Sequence, residues 1–251
     1  MKSVLILQHV DRDSPGRYLE LFARDGFEFT TVRLWAGEEV PSLASHDLMF
    51  VLGGPQDVWE EDKYPWLRME KQAIREWVSD RAKPYFGVCL GHQLLADALG
   101  GEVALSQAGE HGIMSVEITE NGNPLAAGLA GGHKVVQWHM AEVVKSPPTA
   151  EVLGHSELSP MQVLAIGEHA LSTQFHSECG AQSLMAWRNT PGYIDIFEAH
   201  KGKGSYDRFL REAYSAIGEI NATSERLYVN LLSATNLVSA GRTMRFRNVV
   251  G

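Results

Sequence analysis

The chain has 251 residues, 44% hydrophobic and 21% charged, with a formal net charge of -9 and a pI near 5.6. It is long enough for one large domain and carries no basic stripe, which argues against a nucleic-acid partner. No apolar run reaches membrane-spanning length, and MKSVLILQHV lacks a cleavage-site pattern, so it reads as a first strand. The only cysteines, Cys89 and Cys179, have no C-x-x-C partner, which speaks against a disulfide scaffold or structural zinc and for a reducing, cytoplasmic setting.

Val4 to Gln8 predicts a buried strand, and Pro15 to Asp25 a helix stopped at Gly26. Phe27 to Leu34 alternates as a second strand. Leu48 to Leu52 is a third, running into Gly53-Gly54-Pro55. Tyr64 to Asp80 has helical periodicity. Tyr85 to Val88 is apolar and strand-like, and Leu90, Leu94, Leu95, Ala98 and Leu99 then fall on one helix face before Gly100-Gly101. Strand and helix alternating through short loops predict an α/β fold, a mostly parallel sheet with helices on both faces. After Gly101 the character changes. Gly112–Thr119, Lys134–His139, Glu151–His155, Val163–Ile166 and Ala170–Phe175 read as added antiparallel strands. Tyr206 to about Val238 returns to helical periodicity, and Gly241 to Gly251 carries three arginines without a pattern. This divides the chain into a main domain over 1–190 and a helical extension over 191–251 packed on it.

The chemistry gathers at Gly87-Val88-Cys89-Leu90-Gly91. A strand-to-helix turn of the form G-x-nucleophile-x-G is a nucleophile elbow, and a helix N-terminus favours thiolate over thiol. A buried structural cysteine is the alternative. A cysteine nucleophile needs a base and a group to orient it, and His176 and Glu178 are the candidates. Two residues apart at a strand end, they are expected to point the same way; a solvated H-x-E loop is the competing reading. An oxyanion hole could use the amide of Leu90 and one from Gly53-Gly54, although a Gly-Gly-Pro is commonly only a turn. His92 reads as packing or support. Glu110-His111 reads as a solvated loop, His133-Lys134 as a turn, and Cys179 as an ordinary cysteine near the site. The absent P-C-x-x-C argues against a zinc deaminase.

GVCLGHQ around Cys89, LGGP at Leu52–Pro55 and QFHSE at Gln174–Glu178 together resemble the three signature blocks of the class I (triad) glutamine amidotransferases. Order and spacing agree from about Val4 to Glu178, and the likeness is to free-standing, GMP-synthase-amidotransferase-like members. The resemblance implies a flavodoxin-like fold and a Cys89-His176-Glu178 triad that attacks the γ-carboxamide of glutamine, forms a thioester and releases ammonia. It further implies an oxyanion hole from Gly54 and Leu90, substrate contacts at Gly53, Gln93 and His139, and neither metal nor cofactor. Two departures stand out. Ser177 replaces the usual proline of H-P-E, which predicts a looser loop, and Trp138-His139-Met140-Ala141-Glu142 stands where many members have Ser-His-Gly-Asp.

Three functions remain open at this stage. The chain could hydrolyse glutamine and pass ammonia to a separate synthetase subunit. It could be a stand-alone hydrolase of γ-glutamyl amides or peptides. It could be a non-catalytic or stress-response protein of the elbow-cysteine type, although there a histidine usually follows the cysteine directly.

Overall fold

The structure is a computed structural model and describes residues 2–237; the arginine-bearing stretch 241–251 and the last position of the expected C-terminal helix lie outside them. β1 (Lys2–Gln8), β2 (Phe27–Arg33), β3 (Leu48–Val51), β4 (Tyr85–Val88) and β9 (Ala170–Thr173) pair in parallel, in the order β2-β1-β3-β4-β9. β8 (Val163–Ile166), β7 (Ala150–His155), β5 (Glu102–Ile118) and β6 (Gly131–Lys145) continue the sheet antiparallel, giving nine strands among the described residues.

Alternation along β1 explains why the sheet is covered on both sides. Val4 and Ile6 face a core with Tyr18, Leu21 and Phe22 of α1 (Arg17–Arg24) and Leu227, Tyr228 and Leu231 of α6 (Ser205–Ala234). Leu5 and Leu7 face the other core, with Leu67, Ile74, Leu94 and Leu95 of α2 (Trp66–Arg75) and α3 (Leu90–Ala98). Each large apolar side chain so buried contributes about 1.5–3 kcal/mol. A single turn of π-helix, Glu76–Asp80, continues α2 to the end expected from the sequence.

The antiparallel half departs from expectation. β5 and β6 are 17 and 15 residues long, and the predicted loop and turn lie inside their ladder. Glu110 pairs with His139, His111 with Trp138, and Val116 with His133. The run looked broken because register shifts lie between Glu102 and Val103 and between Leu105 and Glu110, interrupting the two-residue alternation. Beyond the sheet, α4 (Ala181–Arg188) and α5 (Tyr193–Lys201) precede α6, and none was marked by a side-chain N-cap. Phe197 of α5 and Tyr206, Phe209 and Ala213 of α6 bury an aromatic cluster against Val136 and Trp138 of β6. No helix of the described residues is long and apolar enough to cross a membrane.

Candidate active site

β4 ends in Cys89, which has φ +51° and ψ -102° and immediately precedes α3. A side chain is rare at that φ, so the surrounding packing must hold it there. The elbow glycines supply that packing. A Cβ on Gly91 would lie 2.4 Å from the Val51 carbonyl oxygen, and one on Gly87 would lie 2.7 Å from the Gly91 carbonyl oxygen. The turn therefore closes against β3 only without side chains at those two places.

Parallel pairing of β4 with β9 removes the 87-residue separation between cysteine and histidine. The Cys89 amide donates to the Thr173 carbonyl at 2.8 Å, and His176 follows three residues later. The His176 ring interacts with the Cys89 side chain and is bonded through Nδ1 to Glu178 Oε1 at 2.6 Å. Burial opposes charging this ring, but the charges of Glu178 and Cys89 and the bonds to both outweigh it, so its pKa is raised well above the usual value. The three residues are only 5–9% exposed. Trp187 of α4 closes over His176 edge-on, with ring centroids 5.3 Å apart.

His176 and Glu178 do not converge by strand alternation, as their spacing suggested. β9 stops at Thr173, and they sit in a tight turn in which the Ser177 amide donates to Phe175 O and the Cys179 amide to His176 O. Nor is the loop loosened by serine. Ser177 is buried, its hydroxyl lies 3.1 Å from Thr173 Oγ1, and the Tyr18 hydroxyl is also within bonding reach. A proline would supply none of these contacts. Cys179 is fully buried behind the turn, where burial and the Glu178 charge push its thiol pKa well up.

The loop after β3 lies over the nucleophile. A Cβ on Gly53 would be 3.3 Å from His176 Cε1 and 3.4 Å from Cys89 Cβ. The Gly91 amide donates to Leu52 O at 3.1 Å and ties this loop to the elbow. As the first residue of α3, Leu90 has no intrahelical acceptor for its amide. Among the described residues neither that amide nor the Gly54 amide has a protein acceptor.

Gln93 and His139 belong to a buried polar chain leading away from Cys89. Gln174 Nε2 is 3.9 Å from the Cys89 sulfur, and Gln174 Oε1 accepts from Gln93 Nε2, which also donates to Ala141 O. His139 has both ring nitrogens engaged, Nδ1 with Ala141 O and Nε2 with Glu110, so neither is left for a ligand. Glu110, read from sequence as solvated, is 1% exposed and also receives Gln137 and Gln162. His111 is buried and stacked on His200 of α5 at 4.6 Å; burial and neighbouring positive groups lower its pKa to about 4. His92 binds Ser172 Oγ and Met161 O, with its pKa lowered to about 3 by burial, and serves as support.

Sequence reasoning missed His9. It lies just past β1, fully buried, with Nδ1 2.8 Å from Gly53 O and Nε2 2.8 Å from Glu70 of α2, itself fully buried. Two oxygens facing the two ring nitrogens favour the protonated, doubly donating ring. Burial opposes this, but Glu70 and the Gly53 carbonyl overcome it and raise the pKa. Trp66 stacks on the ring, centroids 5.5 Å apart. The one signal in the sequence was position: His9 ends the first parallel strand, where ligands gather in such sheets.

The chain is similar to known proteins in sequence and fold. The family profile for class-I glutamine amidotransferases matches residues 20–184. The glutamine amidotransferase-like protein YfeJ of Salmonella typhimurium is 34% identical over 209 residues, covering 81% of this chain and 84% of that protein. A glutamine-hydrolysing GMP synthase subunit of Sulfolobus acidocaldarius is 30% identical over 169 residues, covering 65% of this chain and 85% of that protein. A glutamine amidotransferase crystal structure from Thermotoga maritima superposes with a TM-score of 0.82 at 29% identity, covering 93% of this chain and 98% of the other. One from Methylobacillus flagellatus superposes with a TM-score of 0.83 at 25% identity, covering 93% and 95%.

Proposed function

The chain belongs to the class-I glutamine amidotransferase family, and on that premise we propose that it hydrolyses the γ-carboxamide of glutamine through a Cys89 thioester and releases ammonia. The observation that carries this reading is the strained elbow cysteine in contact with His176, whose other side is bonded to Glu178 at 2.6 Å. The raised His176 pKa favours uptake of the Cys89 proton by the ring as the sulfur attacks. Cys89 Sγ attacks the carboxamide carbon and the oxygen takes the negative charge. His176 then gives its proton to the departing nitrogen, which leaves as ammonia. In the second half His176 takes a proton from water, the hydroxide adds to the thioester, and glutamate leaves as the Cys89 thiolate re-forms. Glu178 holds the ring and offsets its charge. The amides of Gly54 and Leu90 are the oxyanion donors in this reading, because both lack protein acceptors beside the nucleophile.

We assign the chemistry to residues 1–190 and a covering role to the helices described within 191–237. Ammonia would pass to a separate synthetase, and the similarity to a GMP synthase's glutamine-hydrolysing subunit supports this. Both cysteines are free, consistent with a cytoplasmic setting. The test is release of ammonia and glutamate by the purified protein from glutamine and a panel of γ-glutamyl amides and peptides, with Cys89→Ala as the blank. Glutamine turnover above the blank supports the assignment. Turnover of γ-glutamyl peptides in its place would make the protein a stand-alone γ-glutamyl hydrolase, and turnover by Cys89→Ala would end the thioester mechanism.

A further inference from the structure

In an open parallel sheet, ligands lie outside the strand ends where neighbouring connections leave on opposite faces. Here that place is between β1 and β3, since β1 leads to α1 on one face and β3 to α2 on the other. The β3 side of the crevice carries Gly53 and Gly54. The β1 side is the loop from His9 to Gly16, and it is firmly tied. Gln8 Nε2 donates to Asp11 O and Asp13 O, the Asp13 amide donates to Val10 O, and the Arg17 amide donates to Glu178 O at 3.0 Å.

Two opposite charges on this loop are adjacent but not paired. Arg12 and Asp13 make no ion pair with each other among the described residues, although they are neighbours in sequence. Arg12 Nε donates to the Tyr193 hydroxyl at 2.7 Å, and its guanidinium stands 4.7 Å above that ring. The same hydroxyl reaches Asp13 Oδ1 only at 3.5 Å, the long limit of a hydrogen bond. Asp13 is partly buried on the loop that meets the triad where the Arg17 amide donates to Glu178 O; burial and the Glu178 charge raise its carboxyl pKa, while the positive charges of His176 and Arg12 favour the carboxylate. Tyr193 also packs on Trp138 at 5.3 Å, and the Trp138 carbonyl lies 3.9 Å from the Cys89 sulfur. A carboxylate so placed, without a bonded cation, stabilises a ligand's positive charge. The guanidinium beside it, with its Nη groups unengaged among the described residues, matches a ligand carboxylate. An α-amino acid presents both charges on one carbon.

We propose that Asp13 and Arg12, held apart by Tyr193, bind the α-ammonium and α-carboxylate of the γ-glutamyl substrate, which fixes its class as compounds with a free amino-acid end. This rests on the glutaminase reading above and adds the residues that select the substrate. The test measures alkylation of Cys89 in the full chain by three probes: 6-diazo-5-oxo-norleucine, its N-acetyl derivative, and iodoacetamide. Asp13→Asn is expected to slow the free-amine diazoketone about 10- to 100-fold, to remove the preference over the N-acetyl probe, and to leave iodoacetamide unchanged. Arg12→Ala is expected to slow both diazoketones and spare iodoacetamide. Equal slowing of all three probes would place Asp13 on the thiolate and overturn the proposal, as would no change in any of them. Wild-type protein alkylated by iodoacetamide but by neither diazoketone would instead remove the glutamine reading itself, and the subsite with it.

Discussion

Replacing His9 with leucine removes the imidazolium from a pair in which both residues are fully buried. Glu70 Oε1 then loses its partner, and Oε2 already has none. An unpaired buried carboxylate of this kind costs about 3–5 kcal/mol, a large share of the roughly 5–15 kcal/mol available to a folded domain. The double variant His9→Leu/Glu70→Leu removes both charges and fills the space with apolar volume, so it should return to within about 1 kcal/mol of wild type. Activity should not return with it. Among the described residues no other group bonds the Gly53 carbonyl, and displacing the loop proposed to carry an oxyanion donor costs on the order of 100-fold in kcat/KM. The folded pKa of His9 is above the unfolded one, so its stabilisation is fully present below about pH 6.5 and is lost as pH rises through the folded value. Urea unfolding followed by tryptophan fluorescence at pH 6, beside glutamine hydrolysis, measures both effects. A single variant losing less than about 1 kcal/mol would refute the buried-pair argument, and a stable double variant with full activity would refute the positioning role.

The raised pKa of His176 predicts that the alkaline limb of kcat/KM lies above the ordinary histidine range near 6.5, because in the proposed mechanism the imidazolium is the acid for the leaving ammonia. Glu178→Gln removes the main charge raising it while burial still opposes protonation, so the limb should move to lower pH; an unmoved limb would exclude Glu178 as the cause. At Cys89 the positive φ predicts that Cys89→Gly is more stable than Cys89→Ala, both being inactive. Relief of about 1–3 kcal/mol of strain exceeds the about 0.4–1 kcal/mol that glycine costs through the unfolded chain. Equal melting temperatures would show that the elbow is unstrained.

The parallel half of the fold was legible because its central strands are buried on both faces and read as continuous apolar runs. Val4 to Leu7, Leu48 to Val51 and Tyr85 to Val88 all have this form. Cys89 and His176, proposed as nucleophile and base, stood out for the same reason: they lie at or just past the ends of such strands. The antiparallel half was not, since a bulge at Leu105/Glu110 breaks the alternation and puts polar Glu110 and His111 inside the protein. Burial of Glu110 depends on partners from three other places, Gln137, His139 and Gln162, and no local pattern encodes that. His9 was invisible in the same way. Its role comes from Glu70, 61 residues away, and from a carbonyl that sequence does not reveal as an acceptor.

The C-terminal helices complete the site more than they decorate it. Trp138 lies on β6 and its carbonyl faces the Cys89 sulfur, yet its ring is covered by Trp187, Tyr193 and Phe197 from α4 and α5. Trp187 also closes on His176, and Tyr193 bonds Arg12 on the opposite side of the crevice. A flavodoxin-like sheet alone would leave its nucleophile open at the strand ends. Here three aromatic rings from outside the sheet contact the base, the β6 strand behind the nucleophile and the loop across from it. Water exclusion around a thiolate–imidazolium pair strengthens its electrostatics. The same exclusion requires that a substrate enter by displacing or threading this cover. In the proposed reading, selection among γ-glutamyl compounds falls to the residues on the loop facing this cover, Arg12 and Asp13, with Tyr193 between them.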